Sequence, residues 1–508
     1  MNQPDPFVME SKQLKVLFLA AEAEPFVKVG GLGDVAGSLP SAIRSLSDLD
    51  STRDDYENGF IDIRMAIPYH GSMQAKQFPV QLIGEFPVQF KGVDVATKAF
   101  QYLHNGLPVY FIASPQISSG SSVYSSDSRI DLEKYTFFSL ASIKLLQVLG
   151  WSPDIFHAND WHTAVAVYLL SLKNWRTALP NRIRTIMEVH NLPYTGPSSG
   201  ELLLQTGISI PDESPLPEDK NDLPLPLGLL GADHIVTVSP TYAKEIQTPE
   251  FGAGLDVFLQ SRSEDISGIL NGIDYIVWDP MKDPALVQNF NEKNIKDRRK
   301  NKLALQREFD LDASVEIPLM VMINRLDYQK GVDLLPATIR ILNHSHNISL
   351  LFWQLIILGT GESSIERAVR NLENEFSNRV RAVIRFDPEL SRRIFSGADM
   401  ILIPSRYEPC GLTQMIAMRY GCVPIARSTG GLVDTIKDYD SVEESTGFLF
   451  TNSDPIDFAN KIGTALEVFE NKRLWNKLVV RGMNTDFSWN RSASRYRKLY
   501  RYLTSDGN

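Results

Sequence analysis

The sequence predicts an α/β protein with two doubly wound parallel sheets. Three observations carry that prediction. A short apolar run, Lys15-Val16-Leu17-Phe18-Leu19-Ala20-Ala21, leads into a glycine-rich turn and then into a stretch with helical spacing. Similar strand-then-helix pairs recur through the first half. The pattern then restarts at Leu319, beyond a polar turn flanked by Pro280 and Pro284. Parallel strands need crossover connections, which lay helices over both faces of a sheet. Two such series mean two sheets.

The 15–21 run does not alternate, as a strand buried on both faces should not. Val35, Leu39, Ile43 and Leu46 then fall on one face of a helix over 33–46. Residues 86–103 alternate around Gly92 and predict a hairpin. Further strands are expected at 155–158, 184–189 and 234–238, with helices over 163–175 and 241–246. In the second half, strands are expected at 319–323, 352–358, 380–384, 400–403 and 423–426, with helices over 332–342 and 412–420. A charged helix over 292–309 would open this half. Residues 47–59 are polar and acidic, and 211–226 are rich in proline; both predict solvated loops.

Composition bounds the function. Hydrophobic content of 43% and charged content of 22% over 508 residues are those of a globular chain with a core of ordinary size. A net charge of -10 argues against nonspecific binding to nucleic acid or to anionic membranes. The two cysteines, Cys410 and Cys422, sit in no metal-binding pattern and predict thiols in a reducing compartment, the cytoplasm. Residues 1–13 lack the features of a secretory signal, and no run approaches the roughly 18 apolar residues of a membrane span.

Four segments concentrate chemistry. In Lys28-Val29-Gly30-Gly31-Leu32-Gly33-Asp34 the glycines let backbone N–H groups approach a phosphate or sugar ring, at a helix start that favours negative charge. A plain tight turn would use the same glycines, and this segment alone does not separate the two. His157-Ala158-Asn159-Asp160-Trp161-His162 follows a strand; Asp160 can orient a sugar hydroxyl or a cation, but no third ligand at helical spacing supports a metal. His190-Asn191 follows another strand end, where ligands bind in this architecture. Arg325 and Lys330 after the 319–323 strand suit a diphosphate, one as a planar fork and one as a point charge. After the 400–403 strand, Glu408 with the backbone of Cys410 and Gly411 suits a sugar. Thr429-Gly430-Gly431 offers a further phosphate seat.

At these residues the chain resembles the bacterial and plastid glycogen and starch synthases, the ADP-glucose-dependent glucan synthases. The four segments carry the resemblance together with Val236-Thr237-Val238-Ser239-Pro240, Gly268-Ile269-Leu270-Asn271-Gly272, Thr429-Gly430-Gly431-Leu432 and Asp486-Phe487-Ser488-Trp489, in family order over residues 15–500. The resemblance implies a GT-B fold: Rossmann-like domains at 13–282 and 283–490 facing a cleft, and a final segment, 491–508, whose helix crosses back to the first. It implies transfer of glucose from ADP-glucose to the nonreducing 4-OH of an α-1,4-glucan with retained configuration, and neither cofactor nor metal is expected. Lys28 would contact the nucleotide sugar, and Gly30 and Gly31 would present backbone to the diphosphate. Arg325 and Lys330 would neutralise the departing ADP. Glu408 would lie beside the glucose, with Cys410, Gly411 and Leu412 as backbone donors, and Thr429 and Gly430 would hold a phosphate. His190 would sit near the anomeric centre, Asp160 and Asn271 match active-site positions, and Asp34 and Glu22 would serve the acceptor or a lid. The 157–162 segment would form part of the sugar-side wall.

The chain also departs from the family pattern. The segment usually written Thr-Ile-His-Asn is here Glu188-Val189-His190-Asn191, the Asp-Asn pair expected within 124–138 is missing, and 197–228 diverges. The alternatives are another GT-B transferase that uses UDP-glucose, and a noncatalytic glucan-binding protein; intact Lys28, Arg325, Lys330 and Glu408 oppose the second.

Overall fold

A computed structural model describes residues 13–49, 60–74, 78–118, 122–177, 181–211, 213–344, 352–441 and 444–505. Most of the expected polar loop, at 50–59, lies outside the described residues, as do residues 1–12 of the N-terminal stretch read for a signal. The chain divides into two compact units. The first comprises Met1–Val238, Ala243–Gly272 and Trp489–Asn508, and the second Ser239–Tyr242 and Ile273–Ser488.

The first unit is built on nine strands: β1 (Leu14–Leu19), β2 (Ile61–Pro68), β3 (Gln81–Phe90), β4 (Val93–His104), β5 (Leu107–Ala113), β6 (Ile155–Asn159), β7 (Arg184–Val189), β8 (His234–Thr237) and β9 (Ile266–Gly268). Their order in the sheet is β3-β4-β5-β2-β1-β6-β7-β8-β9. All neighbours are parallel except β3–β4 and β4–β5. The expected hairpin is thus one half of a three-stranded meander. Its turns carry positive φ at Lys91 and Gly92 and at Asn105 and Gly106, the backbone that a two-residue hairpin needs and that Asn-Gly supplies readily. β1 lies between β2 and β6, so the order reverses there, and the loops after β1 and β6 flank the crevice where open α/β sheets bind ligands.

Two expectations for this unit change. The proline-rich stretch does not stay a loop: Pro224 starts a helix, Pro224–Gly231, with Leu225, Leu227 and Leu229 fully buried. Proline fits a first helical turn because no N–H is needed there. This helix approaches helix Trp161–Ser171 so closely that a Cβ on Gly228 would lie 2.6 Å from that of Ala164. The second change is that His157, the first residue of the segment read as chemically dense, is a fully buried residue of β6.

The C-terminal helix, Trp489–Ser505, belongs to the first unit. Trp489, Ala493, Tyr496, Tyr500 and Leu503 recur at helical spacing and share one core cluster with Val16 and Phe18 of β1. Ser492 Oγ donates to the Leu270 carbonyl at 2.5 Å.

The second unit carries six parallel strands: β10 (Leu319–Ile323), β11 (Gln354–Gly359), β12 (Val380–Ile384), β13 (Met400–Ile403), β14 (Val423–Arg427) and β15 (Phe448–Phe450), in the order β12-β11-β10-β13-β14-β15. The reversal falls between β10 and β13, whose following loops carry Arg325, Lys330 and Glu408. The charged helix starts at Arg298 rather than 292. Asn291 Oδ1 accepts from the N–H groups of Lys293 and Asn294, an Asx turn that competes with helix. Among the described residues no helix is long and apolar enough to cross a membrane.

Trp489 is 7% exposed in the first unit's core. Trp489→Ala should cost about 3–5 kcal/mol, as other large aromatic truncations do, read as a lower denaturant midpoint for the transition that reports on that unit.

Candidate active site

In the first unit, the loop after β1 folds around Glu22. Its carboxylate is buried and accepts from the N–H groups of Val29 and Gly30, the latter at 3.1 Å, and from the Tyr124 hydroxyl at 3.0 Å. Burial pushes the Glu22 carboxyl up against those donors. Gly30 therefore turns its N–H inward, which corrects the expectation that it faces a diphosphate. Gly31 opens helix Gly31–Leu49, and a Cβ placed on it would meet nothing within 4 Å; both glycines are exposed. Lys28 Nζ bridges Asp34 at 2.6 Å and Glu24 at 3.0 Å on the exposed side of the loop. Burial opposes charge on both Lys28 and Asp34. The pair nonetheless raises Lys28, whereas for Asp34 burial prevails over the lysine and raises the acid.

The ends of β6 and β7 are tied together. Asp160 has φ +53°, a backbone region that side chains other than glycine seldom enter. Its Oδ1 accepts from the His190 N–H at 2.8 Å instead of capping the helix that follows it. Burial raises the Asp160 carboxyl above its ordinary value, with His190 opposing. His190 Nε2 meets Asn159 Oδ1 at 2.9 Å, while the Asn159 amide donates to the Leu19 carbonyl at 2.7 Å. Asn271, after β9, is 7% exposed, and its Oδ1 is a buried acceptor without a hydrogen-bond partner among the described residues. Such an orphan is a place for a ligand donor.

The sugar-side wall expected of residues 157–162 shrinks. His157 bonds Glu188 and the Tyr500 hydroxyl, both at 2.7 Å, inside the core. His162 packs among Trp161, Tyr135 and Tyr124, and burial holds it well below its ordinary value. Both are structural, which leaves Asp160 as the segment's functional candidate. No group of His, Cys, Asp or Glu suited to a metal occurs among the described residues.

In the second unit, Lys330 Nζ meets both oxygens of Glu408, at 2.8 and 2.7 Å, and Ser405 Oγ donates to the same carboxylate at 2.8 Å. Both partners are largely buried. The loop that delivers Lys330 is shaped by Gly331, at φ +66°, where a Cβ would lie 2.0 Å from the Pro404 carbonyl oxygen. Arg325 is the outer cation, 58% exposed and held by Asp327 at 3.0 Å and Gln329 at 3.1 Å. Gln414 donates to the carbonyls of Cys410 and Gly411 and to Thr435 Oγ1, at 2.8–3.0 Å, and so fixes the turn between Glu408 and Leu412. Leu412 caps helix Thr413–Arg419. Thr429 stands before the short helix Gly430–Thr435, and the Gly431 N–H donates to the Glu408 carbonyl at 3.0 Å, which joins the two loops. Arg406 forms a bidentate pair with Asp333 and lies 3.6 Å below the exposed ring of Tyr328.

The sequence reading missed the partners that hold these groups: Asn159, Tyr124, Ser405, Asp333 and Gln414. Asp333 and Ser405 lie within or beside quoted segments. Tyr124 could not be found, because its link to Glu22 spans 102 residues.

Comparison with known proteins agrees with this geometry. The family model for the starch synthase catalytic domain matches residues 15–261, and that for glycosyl transferases group 1 matches residues 307–477. A glycogen synthase of Kosmotoga olearia is 36% identical over 97% of this chain and 99% of its own length. One from Anaeromyxobacter dehalogenans is 38% identical over 96% and 99%. The chain belongs to the glycogen synthase family. It is a glycosyltransferase with the GT-B fold. The catalytic domain of starch synthase IV from Arabidopsis thaliana, solved with ADP and acarbose, superimposes with a TM-score of 0.84 at 33% identity, covering 97% of this chain and all of that one. A sucrose-phosphate synthase from Thermosynechococcus elongatus, at 17% identity and a TM-score of 0.59, shares the fold. As a glycogen synthase family member, the protein acts between a nucleotide-sugar donor and a glucan acceptor.

Two outcomes follow from this geometry. Gly331→Ala should displace the Lys330 loop and lower kcat by about 100-fold, the scale of a misplaced catalytic group, in a steady-state assay. Asp160→Asn keeps the acceptor for the His190 N–H but removes a half-buried charge. Because the folded state raises the Asp160 carboxyl, the carboxylate opposes folding above its folded pKa, and that opposition fades as pH falls through the ordinary carboxyl range. The variant should therefore melt higher than the parent at neutral pH, with the difference closing in acid, and should lose activity.

Proposed function

We propose that this glycogen synthase family member transfers glucose from ADP-glucose to the nonreducing 4-OH of an α-1,4-glucan with retained configuration, and that it works in the cytoplasm. The observation that carries the reading is the Lys330–Glu408 pair at the strand-order reversal of the second unit. An ammonium seated on a largely buried carboxylate is fixed before substrate arrives. It can then stabilise charge developing on a leaving phosphate without reorganising, which is where electrostatic catalysis gains most. Arg325 adds a second cation on the solvent side of the same loop. The Arabidopsis starch synthase was solved with ADP, the nucleotide that an ADP-glucose donor releases. Both cysteines, Cys410 and Cys422, are buried free thiols, the form a reducing compartment maintains.

In the reaction, the bond from the anomeric carbon to the diphosphate oxygen breaks and the acceptor O4 bonds to that carbon on the same face. The 4-OH proton passes to the departing phosphate oxygen, so no protein carboxylate need become a covalent intermediate. Lys330 and Arg325 hold the leaving diphosphate, Glu408 with the backbone of Cys410, Gly411 and Leu412 holds the glucose, and Thr429 and Gly430 hold a phosphate. In the first unit, His190 and Asp160 stand by the reacting sugar, and Lys28, Gly31, Asp34 and Asn271 contact substrate.

Incubation with glycogen and labelled ADP-glucose or UDP-glucose, followed by counting polymer-bound label, tests the donor. Incorporation from ADP-glucose is expected. UDP-glucose alone would replace the donor assignment, and incorporation from neither would end the proposal. Lys330→Ala should lower kcat by about 100- to 1,000-fold while the KM for glucan stays near the parent value; an equal change in both would count against its place at the leaving group.

A further inference from the structure

We propose that Tyr496 and Tyr500, on the C-terminal helix, are positioning residues for His190 that act through the buried Glu188–His157 pair. The inference rests on the placement of His190 beside the reacting sugar given above.

With Glu188 ionised and both imidazoles neutral, the hydrogen bonds admit one arrangement of protons. The Asn159 amide is committed to the Leu19 carbonyl at 2.7 Å, so its Oδ1 accepts from His190 Nε2–H at 2.9 Å. That fixes the tautomer of His190 and leaves Nδ1 as its other functional nitrogen. Glu188 Oε1 lies 3.7 Å from the same Nε2. Glu188 has no exposed surface. Its Oε1 accepts from the Tyr496 hydroxyl at 2.8 Å and its Oε2 from His157 Nε2–H at 2.7 Å. His157 Nδ1 then accepts from the Tyr500 hydroxyl at 2.7 Å.

Burial alone would raise the Glu188 carboxyl, but His190, His157 and Tyr496 outweigh it and hold the carboxyl below its ordinary value. A buried carboxylate that loses a donor must find another or take up a proton. The neighbour within reach is His190, so a change at Tyr496 has a physical route to the ring in the site. The route is particular to a glutamate at this position, since a threonine cannot carry the charge.

Docking of the helix uses the tyrosine rings, which a phenylalanine keeps. Positioning uses the hydroxyls, which it loses. The experiment compares Tyr496→Phe, Tyr500→Phe and the double variant with Leu503→Ala, which trims the same helix's packing without touching the hydrogen bonds. Full-length proteins are assayed well below their melting temperatures with glycogen and the accepted donor, and histidine-labelled samples are compared by nitrogen NMR. The chain has 8 histidines, and His190→Ala identifies the His190 signals. Each Phe variant should lower kcat by about tenfold with the donor KM unchanged, a loss on the scale of a loosened supporting contact. The double variant should lose little more than the worse single, and the His190 signals should move. Leu503→Ala should melt lower and keep its kcat. Phe variants with parent kcat and unmoved His190 signals would overturn the inference. Full activity in His190→Ala would instead overturn the placement of His190, while the NMR shift would still decide whether the tyrosines are coupled to the ring.

Discussion

A carboxylate taken out of water needs several donors, and each of three candidate site segments is folded around one. Glu22 gathers Val29, Gly30 and Tyr124 after β1. Glu188 gathers His157 and Tyr496 at the end of β7. Glu408 gathers Lys330 and Ser405 after β13. Strand ends in open α/β sheets leave irregular backbone at the site, and irregular backbone is a poor platform unless something fixes it. A buried anion does so because every donor it loses leaves an uncompensated charge. In each case the glutamate sits against a group proposed to face substrate: the glycine loop, His190 and Lys330.

This arrangement explains what the sequence did and did not show. β10 and β13 were legible because their apolar runs stand out against polar turns, and Lys330 and Glu408 because strand ends advertise their polar residues. The largely buried β7 was legible too, but the role of Glu188 was not. A glutamate in an apolar strand gives no local signal of its partners, and Tyr496 lies 308 residues away. The helix from Pro224 was hidden because proline clusters ordinarily mark loops, and only packing against helix Trp161–Ser171 reveals that this one starts a buried helix. His157 misled for the opposite reason: its neighbours in sequence are site residues, while its own side chain points into the core.

Asp160 shows the cost of the site. It combines positive φ with a half-buried carboxyl raised by desolvation, two features that oppose folding and that the surrounding strands must outweigh. In exchange, a single side chain links the end of β6 to the backbone of His190, so the two loops move as one.

The shared core of β1 and the C-terminal helix sets an order of events during synthesis. Val16 and Phe18 emerge from the ribosome nearly five hundred residues before Tyr496, Tyr500 and Leu503. Domains ordinarily finish in the order they are made. Here the first unit must wait, its apolar surface incomplete, while the whole second unit is translated. A chaperone would meet a long-lived client surface on the first unit, and a chain broken off before Trp489 would leave that surface uncovered.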